Sequence, residues 1–256
     1  MNNKNINIII PMAGAGKKFQ EAGYAFPKPI IDINGKTMIQ VVVDNLKPST
    51  PHTFIFICLR EHYEKYDLHN ILKNATENNF EVVLINDQTR GAASTVLCAT
   101  NYINNNEELI IANSDQYIEF SIDDFITKAR EGNKDGLILT FKSSHPKWSY
   151  TRTNADGLVL ETAEKKVISD RATVGVYYFR NGSDFVKGAQ NMIQKDINYN
   201  NEYYVCPVFN EIILNNGKIY IDNIEADQMH SMGTPEDLEK VIAEVKEGNL
   251  VLNTND

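Results

Sequence analysis

Four short apolar runs in the first 115 residues constrain this chain more than any other feature. They are "NINIII" at 5–10, "TFIFICL" at 53–59, "FEVVLIN" at 80–86 and "ELIIAN" at 108–113. Each is too short for a helix and nearly continuous in apolar residues, the pattern of a strand covered on both faces. Helical segments lie between them: "TMIQVVVDNL" at 37–46, "EHYEKYDLHNILKNA" at 61–75 and "GAASTVLCATNYI" at 91–103. A β-α-β-α-β-α-β series requires a parallel sheet wrapped by helices. Beyond it the rhythm changes. Strand-like pieces at 136–142, 157–162 and 173–179 have fewer helices between them, which predicts an antiparallel or mixed extension. Helices follow at about 183–195 and 205–215, then two short strands and a last helix. That helix is well signalled: Thr234 is the N-cap, Pro235 takes the first helical position, and Leu238, Val241, Ile242 and Val245 share one face. The expected fold class is α/β, three-layered, with a mainly parallel central sheet and a mixed extension. No internal repeat or linker is visible, so residues 1–256 are expected to form a single domain whose two halves wall one cleft.

The formal net charge of −9 argues against a general nucleic-acid or anionic-membrane binder, because phosphate-backbone affinity comes from accumulated Lys and Arg. Any phosphate bound here needs a local site. Cys58, Cys98 and Cys206 are far apart and show no CxxC spacing, which fits a reducing compartment and argues against a zinc or disulfide framework. The N-terminal apolar run is too short for a signal peptide, and no stretch approaches the roughly 18 to 20 apolar residues that span a bilayer. The expectation is a soluble cytoplasmic protein without nucleic-acid or membrane partners; self-association is left open.

In open parallel α/β sheets, ligands bind outside the carboxyl ends of the strands. Pro11 to Lys18 follow the first strand, Asp87 and Gln88 the third, and Asn113 to Gln116 the fourth. These strand ends should converge. Gly14 and Gly16 let backbone N–H groups approach a ligand, and Lys17, Lys18 and Lys28 supply positive charge, a combination suited to a nucleoside triphosphate. Taken alone, "GAGKKF" reads equally as a tight turn, since it lacks the third glycine and immediate helix of a dinucleotide fingerprint and the GK[ST] ending of a P-loop. Asp115 alone reads as a turn or capping residue, and "AEKK" at 163–166 as a solvated charge run.

Together, however, "PMAGAGKKF" and "FPKPIIDINGKTMI" resemble the signature of nucleotidyltransferases that act on sugar 1-phosphates. The similarity continues through "DQTRGAASTV", "IANSDQY", "AEKK", "VGVYYF" and "MGTPEDL", in order along nearly the whole chain. The resemblance implies a glycosyltransferase A-like fold, with a nucleotide-binding half at about 1–118, an acceptor half and closing helix at about 119–247, and a tail at 248–256. It implies Ala13, Gly14, Gly16, Lys17 and Ala92 around the nucleotide, with Gln88 and Gly91 reading the base edge. Lys18 would bind the triphosphate and Lys28 the α-phosphate. Asp115 would carry Mg2+, or Mn2+, between the α-phosphate and the acceptor phosphate. Lys165 would orient that acceptor phosphate, with Glu164, Gly175, Glu202 and Tyr150 around the acceptor.

Two departures stand out against the family pattern. Lys18 replaces an arginine, a point charge in place of a bidentate fork. Ser231, in "MHSMGTPEDL", stands where many members carry a second metal-binding aspartate, leaving Asp222 or Asp227 as candidate helpers. On the acceptor side, "HPKWSYTRT" brings Trp148 and Tyr150, and "NEYYVCPVFN" brings Glu202, Tyr203 and Tyr204. The "GAGKKF", "HPKWSY" and "GTPEDL" segments resemble those of capsule-pathway members of the CTP:phosphoglutamine cytidylyltransferase type. That similarity implies CTP as the favoured NTP and a glutamine phosphate as acceptor, with a sugar 1-phosphate as the alternative. A glycosyltransferase of the same fold would normally show a D-x-D motif, where this chain has Asn113-Ser114-Asp115. A non-catalytic nucleotide-sensing subunit is the non-enzyme alternative.

Overall fold

The computed structural model describes residues 5–253. In chain order the first half comprises β1 (Ile6–Pro11), α1 (Lys17–Glu21), β2 (Asp32–Ile33), β3 (Lys36–Thr37), α2 (Met38–Leu46), β4 (His52–Leu59), α3 (Arg60–Lys65), α4 (Leu68–Ala75), β5 (Phe80–Ile85), α5 (Ala92–Leu97), α6 (Thr100–Ile103), β6 (Glu108–Ala112) and β7 (Gln116–Ile118). The second comprises α7 (Ile122–Arg130), β8 (Gly136–Lys142), β9 (Tyr150–Thr153), β10 (Val159–Ala163), β11 (Arg171–Phe179), α8 (Gly182–Gln194), α9 (Val208–Leu214), β12 (Ile219–Ile224), β13 (Met229–Ser231) and α10 (Pro235–Lys246).

Nine strands form the central sheet, in the order β10-β9-β11-β6-β1-β4-β5, with β8 pairing both β11 and β12. Strands β5, β4, β1 and β6 run parallel, Ile9 lying opposite both Ile55 and Ile111. β11 then reverses direction against β6, beginning the mixed extension. Because side chains alternate across a strand, the run in β1 serves two cores. Ile6, Ile8 and Ile10 join Phe54 and Phe56 on the face covered by α2, α4, α7 and α10. Ile9 joins Ile55, Ile57 and Ile111 on the opposite face with residues of α5, α8 and α9. Each such side chain, fully buried, contributes about 1.5 to 3 kcal/mol, so the two-sided covering is the main force holding the layers together.

The structure departs from the sequence reading in particular places. The "FEVVLIN" run is covered only in part: β5 is the sheet edge, with Phe80, Val82 and Leu84 half-buried against one core and Val83 and Ile85 half-buried against the other. The helix expected over 61–75 is split by Asp67 in the left-handed region (φ 50°), and that over 91–103 breaks at Cys98 and Ala99. A one-turn helix does follow "GAG" at once; Gly16 (φ 62°) turns into α1, which is anchored by the buried Phe19. β7, β9 and α7 lie outside the expectation. The segment expected as a tail over 248–256 packs in part, since Leu250 is buried and the Tyr117 hydroxyl donates to the Val251 carbonyl at 3.0 Å; residues 254–256, like 1–4, lie outside the described residues. No helix among the described residues is long and apolar enough to cross a membrane.

Strand order positions the site. The chain runs from β1 outward through β4 to β5, then returns to place β6 on the other side of β1. Successive connections leave the sheet in opposite directions at this point, opening a crevice at the carboxyl ends of β1 and β6.

Candidate active site

The loop after β1 and the loop after β5 enclose a cavity of about 540 Å³. Its walls include Ala13, Gly14, Gly16, Lys17, Lys28, Gln88, Gly91 and Ala92, all expected at the nucleotide, together with Thr89, Thr95 and Glu202. Gly91 has a structural reason to be glycine. Its φ is 94°, and a Cβ there would sit 2.6 Å from the carbonyl oxygen and 2.7 Å from the nitrogen of Tyr203. Contact this close lets the Arg90 carbonyl accept from the Tyr203 N–H at 2.8 Å while the Tyr203 carbonyl accepts from the Ala93 N–H at 2.9 Å. The 202–204 segment of the second half is thereby bound to the start of α5.

At the switch point, the Lys28 Nζ donates to Asp115 Oδ2 at 2.7 Å. Lys28 opens a 3-10 turn (Lys28–Ile30) between Pro27 and the buried Pro29, whose fixed backbones aim it inward. Asp115 lies in the loop between β6 and β7, and that loop is tied to β13: Ser231 pairs with Gln116, and the Met232 N–H donates to the Asp115 carbonyl at 2.8 Å. Beyond β13, a Cβ on Gly233 would come within 3.2 Å of Asp115 Oδ2 and 3.5 Å of Ser231 Oγ. Glycine at 233 therefore leaves open a small space beside the Asp115 carboxylate. The Ser231 hydroxyl in turn donates to Asp237 Oδ2 at 3.2 Å.

A second cavity, of about 250 Å³, shares Ala92 and Tyr204 with the first. Asn113, Lys147, Trp148, Ser149, Glu164, Lys165, Thr173 and Gly175 are among its walls. Gly175 (φ 96°) lies in an irregular stretch of β11, where a Cβ would fall 2.2 Å from Asn113 Nδ2. Lys165 takes a left-handed backbone (φ 49°), which costs a non-glycine residue on the order of 1 kcal/mol. Its Nζ donates to the Tyr204 hydroxyl at 3.0 Å and lies 4.8 Å and 5.3 Å from the ring centres of Tyr204 and Tyr199. The Tyr204 hydroxyl donates to Glu202. The Ser149 hydroxyl donates to Glu164. Burial raises the Glu164 pKa above its ordinary 4.5; the Ser149 bond and Lys165 oppose this, and Glu202 adds to it.

Residues 7–246 match the model of the family described as nucleotidyl transferase. The chain belongs to the nucleotidyl transferase family. Over 181 residues it is 21% identical to the bifunctional protein GlmU of Methanococcus maripaludis, a match covering 69% of this chain and 40% of that protein. A nucleoside-diphosphate-sugar pyrophosphorylase from Vibrio cholerae superposes with TM-score 0.79 at 23% identity, over 92% of this chain and 99% of that one. An inositol-1-phosphate CTP transferase from T. maritima superposes with TM-score 0.73 at 13% identity, over 94% and 96% of the two chains. At such identities these structures show the fold.

Within this nucleotidyl transferase fold, several expected residues stand away from the cavities or in the other one. Tyr150 is fully buried and walls neither cavity; its hydroxyl donates to the His145 carbonyl at 2.7 Å, which braces the 145–149 loop. Lys18 is exposed on α1, outside the walls that include Lys17. Its charge reaches Glu236, whose carboxyl is held below its ordinary range first by its own backbone N–H and by Thr234, then by Lys18. Glu202 belongs to the first cavity, not the second. Asp222 is held by Lys128 at 2.9 Å, and Asp227 is exposed on a 3-10 turn. Among the described residues no three or more His, Cys, Asp or Glu side chains gather as a metal cluster. Sequence reasoning passed over Lys147, Ser149 and Asp237. The one available signal is a lysine beside the chain's single tryptophan in "HPKWSY".

Proposed function

We propose that this protein transfers a nucleoside monophosphate from an NTP, with CTP favoured, to a phosphorylated small acceptor and releases pyrophosphate. The observation that carries the reading is the Lys28–Asp115 pair at the switch point: Lys28 also walls the larger cavity, and Asn113, two residues before Asp115, walls the smaller. The larger cavity takes the NTP, its base against Gln88 and Gly91 and its phosphates toward Gly14, Gly16, Lys17 and Lys28. The smaller takes the acceptor, with Lys165 and Glu164 around its polar groups.

An oxygen of the acceptor phosphate forms a bond to the α-phosphorus. The bond from that phosphorus to the oxygen bridging to the β-phosphate breaks, and pyrophosphate leaves with the electron pair. The attacking oxygen is already anionic near neutral pH, so the chain needs only to position and neutralise charge. Lys28 meets the charge that builds at the α-phosphate. Asp115 fits a divalent cation, Mg2+ by this reading, because the absent Cβ at Gly233 leaves space beside its carboxylate. When bound, such an ion neutralises phosphate charge and orients the two reacting groups. With no carboxylate at 231, its remaining ligands would be phosphate oxygens and water.

For the acceptor, the lysine and carboxylate in the smaller cavity suit a molecule that carries a phosphate together with a donor group. A glutamine phosphate, in the synthesis of capsule or surface polysaccharide precursors, satisfies this. A sugar 1-phosphate is the second reading, favoured by the pyrophosphorylase likeness. Initial rates of pyrophosphate release with each of the four NTPs against glutamine phosphate and a panel of sugar 1-phosphates test the proposal. Release confined to CTP with glutamine phosphate supports the first reading, release with a sugar phosphate supports the second, and nucleotide binding without release supports a sensing subunit.

A further inference from the structure

We propose that Lys147 is a phosphate-binding residue of the acceptor cavity, the cation that faces Lys165 and receives the acceptor phosphate on the side toward Asp115. Lys147 is among the walls of that cavity. Its Nζ lies 4.6 Å from the ring centre of Trp148 and 3.9 Å from Asp237 Oδ2. That carboxylate accepts from Ser231, and Ser231 and Asp115 both border the space that glycine leaves open at 233. Through Asp237 and Ser231 the ammonium is linked to the space beside Asp115, the side of the smaller cavity on which an acceptor phosphate must lie for its oxygen to reach an α-phosphorus held by Lys28.

The two lysines of the cavity are held differently. Lys165 donates to Tyr204 and lies against two aromatic rings. Lys147 has a long ion-pair contact, with side-chain exposures of 46% for itself and 32% for Asp237. Contacts of this kind contribute little. A phosphate dianion offers the ammonium shorter, charge-assisted bonds, so Lys147 can leave Asp237 at small cost. Asp237 loses no structural role in the exchange, since its backbone N–H remains capped by Thr234 at 3.2 Å and its carboxylate keeps Ser231. The loop that bears Lys147 is fixed from below by the buried Tyr150, whose hydroxyl bond to His145 limits how far the ammonium can stray.

The chain contains one tryptophan, and it is Trp148. Its emission therefore reports on this cavity alone. The inference rests on the nucleotidyl transfer reading, so CTP binding is followed by calorimetry on the same samples to separate the two. Inorganic phosphate is titrated into the full chain with excitation selective for tryptophan. The expected result is a saturable emission change in the wild type, a midpoint raised about tenfold in Lys147→Met, and a midpoint within about threefold of wild type in Lys147→Arg, with CTP affinity unchanged in both variants. A wild-type midpoint in Lys147→Met overturns the proposal. So does a loss that arginine does not restore, which would mean stem packing in place of charge. Absence of any phosphate response in a wild-type chain that still binds CTP overturns it and leaves the transfer reading standing; absence of CTP binding as well overturns both.

Discussion

Lys28 and Asp115, 87 residues apart in sequence, meet at 2.7 Å with side-chain exposures of 22% and 25%. A pair this accessible contributes less than about 1 kcal/mol to stability. Its placement matters more than its strength. One turn flanked by two prolines, the loop after β6 and a parallel sheet bring one cation and one carboxylate together at the switch point, with Lys28 on the wall of the larger cavity.

The first prediction follows from that geometry. Lys28→Met should lower turnover by about two orders of magnitude or more while changing the melting temperature little, because the lost charge acts chiefly in the transition state. Lys165→Met should instead raise the acceptor Michaelis constant and spare NTP affinity. Steady-state kinetics of both variants with both substrates checks the division; equal effects on acceptor binding would reject it.

Gln88 presents an amide to the larger cavity from the end of an edge strand, exposed and without a structural task. Gln88→Ala should raise the Michaelis constant for the preferred NTP by about tenfold and narrow the difference between NTPs, with the fold unaffected. Competition among the four NTPs measures this directly. Unaltered discrimination would place base recognition on backbone groups alone.

Gly91→Ala should destabilise the protein by roughly 2 kcal/mol or more, since it combines a positive φ with a Cβ 2.6 Å from backbone. Either the α5 start or the 202–204 segment must move. Chemical denaturation gives the stability loss, and nucleotide titration should show weaker binding, because both displaced segments wall the cavity. A variant as stable as wild type would mean that the two segments are not coupled.

Glu164 predicts a pH effect of definite sign. Burial raises its folded pKa above the ordinary 4.5, so the folded chain holds the proton more tightly than the unfolded one. The favourable contribution is complete below 4.5 and is lost as pH rises from there through the folded pKa. Glu164→Gln keeps an acceptor for Ser149 and removes the titration. Its stability relative to wild type should therefore increase as pH rises from 4 to 7, measured by thermal melts at each pH. A difference that stays constant with pH would contradict the assignment.

How far the molecule was readable before folding depends on where each signal sits. β1, β4 and β6 are legible because a strand covered on both faces is apolar at nearly every position, the buried Asn7 and Glu108 being hydrogen-bonded exceptions, and α10 because Thr234 and Pro235 mark its start. β5 misleads because its apolar run is an edge strand, packed against both cores but only half-buried. α7 carries a cap in Ser121, which accepts from Asp124 at 3.1 Å, but the helix is short and begins just where the strand rhythm changes. Residues of the larger cavity were legible because they follow strand ends. Tyr150 and Lys147 were not, because which of two residues three apart, one opening β9 and one in the loop before it, is buried is decided by β9 pairing with β10 and β11, Tyr150 lying opposite Ala163 and Ala172, and this leaves no local pattern.

The most direct test of the account follows phosphorus through one turnover. Stoichiometric enzyme is mixed with CTP, Mg2+ and the acceptor that supports the fastest pyrophosphate release, and the products are read by 31P NMR before and after chelation of the metal. The account predicts one pyrophosphate per CTP consumed and, in equal amount, a new P–O–P linkage joining CMP to the acceptor phosphate. It also predicts that neither forms with EDTA present or in Asp115→Asn. Pyrophosphate appearing without the acceptor, or full product formation by Asp115→Asn, would contradict it.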